Sequence, residues 1–176
     1  YNFNFVIVAT KSYNNKDVAP LLKDRLSDES TILLFQNGMN IEKPFLTIDK
    51  DWTIVRAISS FGAFRENKTH VIERSVGRTK IGLIMGKKEF LNFWKRLLEE
   101  IGLPTMISDN LMLDIWLKLI SNSVINPLTA IAGTPNRFIL HDKKLKELAI
   151  ELLKEVLLVI PPELGIDFNK AYEAVK

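Results

Sequence analysis

The chain of 176 residues contains no cysteine, which excludes disulfides, thiolate metal sites and a cysteine nucleophile. Its only histidines are His70 and His141, leaving no basis for a histidine-rich zinc site or a histidine-dependent triad. No apolar run reaches the ~18 residues expected of a membrane span, and no signal peptide precedes the first strand-like run. A soluble, cytoplasmic protein without a membrane partner is therefore expected. Glycine is sparse, and none of its eight occurrences forms G-x-G-x-x-G, the strand-to-helix turn whose amides grip a pyrophosphate. Methionine is missing from the start, where Tyr1 leads almost at once into a strand-like run; the sequence reads as an internal piece of a longer chain.

What is present suits one ordinary core or two small ones, because 47% of the residues are hydrophobic. The net charge of +3 is dispersed, with basic runs no longer than Lys87-Lys88 and Lys143-Lys144, so no nucleic-acid partner is expected. Residues 3–10 and 31–36 are β-rich, and residues 17–26 between them have helical spacing through Val18, Leu21, Leu22 and Leu26. Strand, helix, strand is the unit of a parallel sheet, in which ligands bind at the carboxyl ends of the strands. Lys11 and Asn37 fall at two such ends. Residues 52–58, 69–75 and 79–84 add three strand-like runs, divided by turn material at 62–68 and 77–78. Their short spacing predicts an antiparallel meander appended to the parallel sheet. Residues 87–101 form an amphipathic helix, stopped by Gly102 and Pro104, whose Phe90, Phe93, Trp94, Leu97, Leu98 and Ile101 are read as core. A short strand at 103–107 and capping residues at 108–110 follow. Beyond them the pattern is helical throughout, including 143–160 and 167–176. The fold class is thus α/β over residues 1–107 followed by all-α over 108–176.

One helical stretch carries an anomaly. At about 100° per residue, Lys118, Asn122 and Asn126 share a narrow face with Thr129. The remaining circumference bears Trp116, Leu117, Leu119, Ile120, Val124, Ile125 and Leu128, which predicts a helix buried nearly all round. Buried polar groups must be hydrogen-bonded by protein or by a ligand. Lys118 can snorkel and the two asparagines can tie down backbone, or all three can line a cleft. Their spacing along the middle of the helix favours the cleft, and Pro127 predicts a bend beside Asn126. Burial is expected to lower the pKa of Lys118.

The run from Trp116 through Lys118, Asn122 and Asn126 to Ile131, with Pro135-Asn136 after it, resembles the signature helix of ketopantoate reductases (2-dehydropantoate 2-reductases). Ala9-Thr10-Lys11 and Gln36-Asn37-Gly38 resemble further blocks of that family, in the same order. The resemblance implies the C-terminal part of a Rossmann-type NADP-binding domain at 1–107, and the start of a helical, 6-phosphogluconate-dehydrogenase-like domain at 108–176. It further implies NADPH-dependent reduction of 2-dehydropantoate to pantoate, serving pantothenate and coenzyme A synthesis. Lys118 takes the family's proton-donor role. Asn37, Asn122, Asn126 and Asn136 take substrate contacts, and Lys11, Asn37 and Ala63 take cofactor contacts. The glycine fingerprint and the basic residue that reads the 2′-phosphate are implied to precede Tyr1, and the last helices to follow Lys176. Asn40 departs from the glycine more common at that position, which predicts a slightly different loop path. Two alternatives stay open: a reductase of another small 2-oxo acid, and a non-catalytic NADP sensor of the same fold. The apolar positions Leu148, Leu152, Val156 and Val159 suit either further helices or a second subunit, as in a homodimer.

Overall fold

The computed structural model describes residues 3–75 and 77–176. In the first part, strand β1 (Phe3–Val8) leads through a single 3-10 turn into helix α1 (Asn15–Lys23) and strand β2 (Leu26–Leu34). A short helix α2 (Lys43–Leu46) precedes strand β3 (Thr53–Ser59). Then come β4 (Gly62–Arg65), β5 (Val71–Ser75), β6 (Thr79–Met85), helix α3 (Glu89–Glu100) and β7 (Thr105–Ile107).

The main sheet has the order β1-β2-β3-β6-β7. β1, β2 and β3 run parallel, β6 is antiparallel to β3, and β7 is parallel to β6. This corrects the expected meander in two ways. β3 continues the parallel sheet instead of opening an antiparallel one. The run expected at 69–75 leaves the sheet altogether, because β5 pairs with β4 in a separate two-stranded ribbon. Residues 62–65, read as turn, supply the partner strand.

Ile32, Leu33, Leu34, Ile54 and Val55 in β2 and β3 are all fully buried, as continuous apolar runs are when both faces of a sheet are covered. Side chains alternate between the faces. Ile32, Leu34 and Ile54 pack with Ala19 of α1, Phe45 of α2 and Trp52, whereas Leu33 and Val55 pack with Leu91, Trp94 and Leu98 of α3. Trp94 seals that second core and spends its one donor on Thr31 Oγ1 at 2.9 Å. Ile101, expected in the core, is exposed because it lies past the last turn of α3.

The end of β6 offers a test of this packing. Gly86 has φ +95°, and a Cβ there would lie 2.5 Å from Thr53 Oγ1 and 2.7 Å from Thr53 Cα. The same threonine hydroxyl accepts from Lys87 N at 3.0 Å. Gly86→Ala is expected to destabilise the fold by more than about 1 kcal/mol, since it adds a clash with backbone to a left-handed φ. Urea unfolding measures this directly; a shift of a few tenths of a kcal/mol is the contrary result.

The chain forms two compact units, Tyr1–Leu111 and Met112–Lys176. The second contains most of helix α4 (Leu111–Ala132), then α5 (Lys143–Leu157) and α6 (Phe168–Val175). Asp142 caps α5 by accepting from Leu145 N, and Asp167 caps α6 by accepting from Lys170 N. Ile120, Val124 and Leu128, spaced by four on one face of α4, form a core with Ala149, Leu153, Ala171 and Val175. The remaining circumference of α4 is not equally enclosed: Asn126 and Pro127 are exposed, and Ile131 is 86% exposed. The expectation of a helix buried all round is corrected accordingly, because hydropathy counts apolar residues and does not say which of them meet a facing layer. A similar correction applies to α5, where Leu152 and Val156 pack onto this core while Leu148, and Val159 just past the helix end, stay exposed. Among the described residues, no helix is long and apolar enough to cross a membrane.

Candidate active site

Two loops leave the carboxyl ends of neighbouring parallel strands in the first unit. After β1 the backbone passes through Ala9, Thr10 and Lys11 into the 3-10 turn Ser12–Asn14. After β2 it passes through Phe35, Gln36, Asn37 and Gly38, with Phe35 N donating to Val8 O at 2.9 Å so that the strands stay zipped to the rim. A cavity of about 320 Å³ opens here, lined by Ala9, Thr10, Lys11, Ser12, Phe35, Gln36 and Asn37. A second, of about 250 Å³, is lined by Phe35, Gln36 and Asn37 together with Ala57, Ser59, Phe61 and Ala63. The two share three residues. Lys11, Asn37 and Ala63 are thereby gathered around one pair of adjoining hollows. Exposed Lys11 brings a cation, Asn37 an amide, and Ala63 a side chain small enough to leave space.

Buried polar groups hold this rim. Gln36 Nε2 donates to Thr10 O at 2.7 Å and to Asn15 Oδ1 at 2.8 Å. Asn15 Nδ2 donates in return to Gln36 Oε1 and to Ile41 O, both at 2.9 Å. From below, Arg56 of β3 donates to Gly38 O and pairs with Glu42 Oε2 at 3.0 Å. Burial lowers the pKa of Arg56, and the charge and hydrogen bond of Glu42 oppose that shift. Asn40 has φ +55°, a left-handed conformation that asparagine tolerates better than most residues. Sequence alone gives Asn15, Gln36 and Arg56 no role. The signal for Arg56 was visible, as a lone charge inside the apolar run of β3; Asn15 carried none.

In the second unit, Lys118, Asn122 and Asn126 follow one another at intervals of four along α4. Lys118 and Asn122 are half-buried and Asn126 is exposed. Desolvation lowers the pKa of Lys118 below its ordinary 10.5, making the ammonium a better proton donor. Thr129, on the same face, is engaged elsewhere: its hydroxyl donates to Ile125 O at 2.9 Å, a back-bond to the preceding turn, with Asn126 O at 3.1 Å. Asn136 is exposed and starts the 3-10 turn Asn136–Phe138 that follows α4.

Residues 1–86 match the family model described as Ketopantoate reductase PanE/ApbA, and residues 110–175 match the model of its C-terminal domain. Together these span most of the chain. The chain belongs to the ketopantoate reductase family. A 2-dehydropantoate 2-reductase of Listeria innocua is 34% identical over 163 residues, covering 92% of this chain and 53% of its own length. A solved structure of a probable 2-dehydropantoate 2-reductase from Bacillus subtilis superposes with a TM-score of 0.73 at 26% identity, over 99% of this chain and 58% of the other. The fold is also that of D-mandelate dehydrogenase in complex with NADH, with a TM-score of 0.83 at 18% identity, over 98% of this chain and 57% of the other. The chain spans about half the length of the curated relatives it matches. Its α/β sheet followed by helices is the fold of this family, a Rossmann-like domain and a helical C-terminal domain.

Proposed function

We propose that the protein to which these residues belong is a 2-dehydropantoate 2-reductase, which reduces the 2-oxo acid to pantoate with NADPH in pantothenate and coenzyme A synthesis. The observation that carries this reading is the half-buried amine of Lys118 with amides at the next two helical steps, in a chain matched by ketopantoate reductase models over both units. The adjoining hollows at the ends of β1, β2 and β3 fit a nicotinamide nucleotide in kind. They offer Lys11 for an anionic group, Asn37 for a carboxamide, and a small residue, Ala63, where a ring needs room. When bound, the nucleotide supplies a hydride to the carbonyl carbon.

Lys118 gives a proton to the carbonyl oxygen as that oxygen gains negative charge, and the neutral amine takes a proton back from solvent. Asn122, Asn126 and Asn136 hold the substrate's hydroxyl and carboxylate, since each amide offers both donors and an acceptor. Asn37 serves substrate and nucleotide alike. Exposed Leu148 and Val159 supply apolar surface for the second copy in a homodimer.

The deciding experiment follows nucleotide oxidation by the full-length protein, with NADPH and NADH, against 2-dehydropantoate and a panel of other 2-oxo acids. Turnover of 2-dehydropantoate with the highest kcat/KM, and preference for NADPH, is the expected result. Faster turnover of another 2-oxo acid reassigns the substrate, and tight nucleotide binding without any turnover makes the protein a sensor instead.

A further inference from the structure

Asn15 and Gln36 are buried, 1% and 9% exposed, and neither is among the residues proposed to touch nucleotide or substrate. Their carboxamides face each other in a reciprocal pair, at 2.8 and 2.9 Å. The second proton of each amide goes to backbone: Gln36 to Thr10 O at 2.7 Å, Asn15 to Ile41 O at 2.9 Å. Every N–H of the pair is thus used, and two segments far apart in sequence are tied to one point. These are residues 10–15, from the loop after β1 to the first residue of α1, and residues 36–41, the two sides of the loop after β2. The tied residues Thr10 and Gln36 immediately precede Lys11 and Asn37. Amide pairs of this kind are costly to bury half-satisfied and stiff when fully satisfied.

We propose that the Asn15–Gln36 pair is a positioning device that sets the spacing of the Thr10-Lys11 and Gln36-Asn37 backbones, and through it the fit of the nucleotide between them. An apolar pair of similar volume would fill the same space, but it could not fix the Thr10 carbonyl and the Ile41 carbonyl at once. The part of this inference that concerns the nucleotide rests on the reductase reading; the part that concerns loop geometry does not.

The test uses the full-length protein with three substitutions. Asn15→Asp keeps the shape of the side chain but puts an acceptor oxygen where two donated bonds were. Asn15→Ala removes the same bonds without adding charge. Trp94→Phe removes a different buried hydrogen bond, to Thr31 on the α3 side of the sheet, and serves as the control for loss of stability alone.

Hydrogen exchange is read first, on peptides covering residues 9–13 and 35–39. Both Asn15 variants are expected to speed exchange there roughly tenfold or more, as a ligand-independent loss of local order, while Trp94→Phe leaves those peptides at the wild-type rate. Steady-state kinetics are read second. The Asn15 variants should raise the KM for NADPH about tenfold and the KM for the 2-oxo acid by a clearly smaller factor, since Lys11 and Asn37 both face the nucleotide whereas Asn37 alone of the two faces the substrate. Unchanged exchange in both Asn15 variants overturns the proposal, and so does a KM for NADPH that Trp94→Phe raises equally. Accelerated exchange in a protein whose wild type turns over no 2-oxo acid upholds the clamp and removes the reductase reading, so the two failures remain distinct.

Discussion

If the proposed reductase reading holds, Lys118→Ala is expected to lower kcat of the full-length protein by a factor of about 10² to 10⁴, the range spanned by loss of one positioned acid. Binding of NADPH, assigned to residues of the first unit, should change little. A primary ammonium on the flank of α4 is half-buried, and desolvation lowers its pKa below 10.5. An amine so placed parts with its proton more readily than one in water, as charge grows on a substrate oxygen. Lys118→Arg keeps the charge and length but holds its proton too tightly to give it up, so it should rescue substrate binding and not turnover.

The linkage has a definite sign. The folded pKa lies below the unfolded one, so between the two values the unfolded chain binds more protons and stability rises with pH. The destabilising effect of the buried charge is complete below the lowered pKa and vanishes above 10.5. Lys118→Met should therefore be more stable than wild type at neutral pH, with a gap that closes as pH climbs toward 10.5. The wild-type rate should decline over the same alkaline window as the donor loses its proton. Normal turnover in Lys118→Ala, with only a stability change, is the outcome that would return Lys118 to a purely structural role.

What a single sequence makes legible depends on the range of the interaction. Lys11 and Asn37 could be placed together because a strand-helix-strand unit sets the carboxyl ends of its strands side by side, whatever the details of the loops. The start of β2 could not be placed. Its first residues, Leu-Ser-Asp-Glu-Ser, look like a turn, yet Leu26 pairs with Phe3, and Ser30 Oγ donates to Phe3 O at 2.9 Å. Pairing across the sheet overrides a weak local preference. The β4–β5 ribbon escaped for a related reason: four residues beginning with glycine hold too little pattern to announce a strand, and only the partner reveals it. On α4 the periodicity of Ile120, Val124 and Leu128 was readable, whereas the exposure of Ile131 depends on where the neighbouring helices end. Amide pairs such as Asn15 with Gln36 leave no trace in a single sequence, since the two residues are joined only by the completed fold.

Arg56→Ala is expected to cost roughly 3–5 kcal/mol of stability, the range for removing one partner of a buried ion pair. Arg56 is 2% exposed in the centre of the sheet, and the Glu42 side chain is only 14% exposed. The guanidinium neutralises that carboxylate and also satisfies Gly38 O, while its Nε finds no partner among the described residues. The pair is thus not an ideal one. Its net contribution relative to an apolar replacement is small, even though breaking it is expensive, because truncation leaves the largely buried Glu42 carboxylate and the Gly38 carbonyl without their donor. That asymmetry makes a sharp expectation for a double-mutant cycle. Glu42→Leu alone leaves an uncompensated cation, Arg56→Met alone leaves an uncompensated anion, and the double variant should lose clearly less than the sum of the two. Denaturant midpoints at unchanged m-value supply all four corners. Strict additivity, or a loss under about 1 kcal/mol for Arg56→Ala, would mean that water reaches the site and screens both charges. The double variant should nonetheless bind NADPH less tightly than wild type, since its restored packing does not replace the donor to Gly38 O, and the loop that carries Asn37 loses its lower tether.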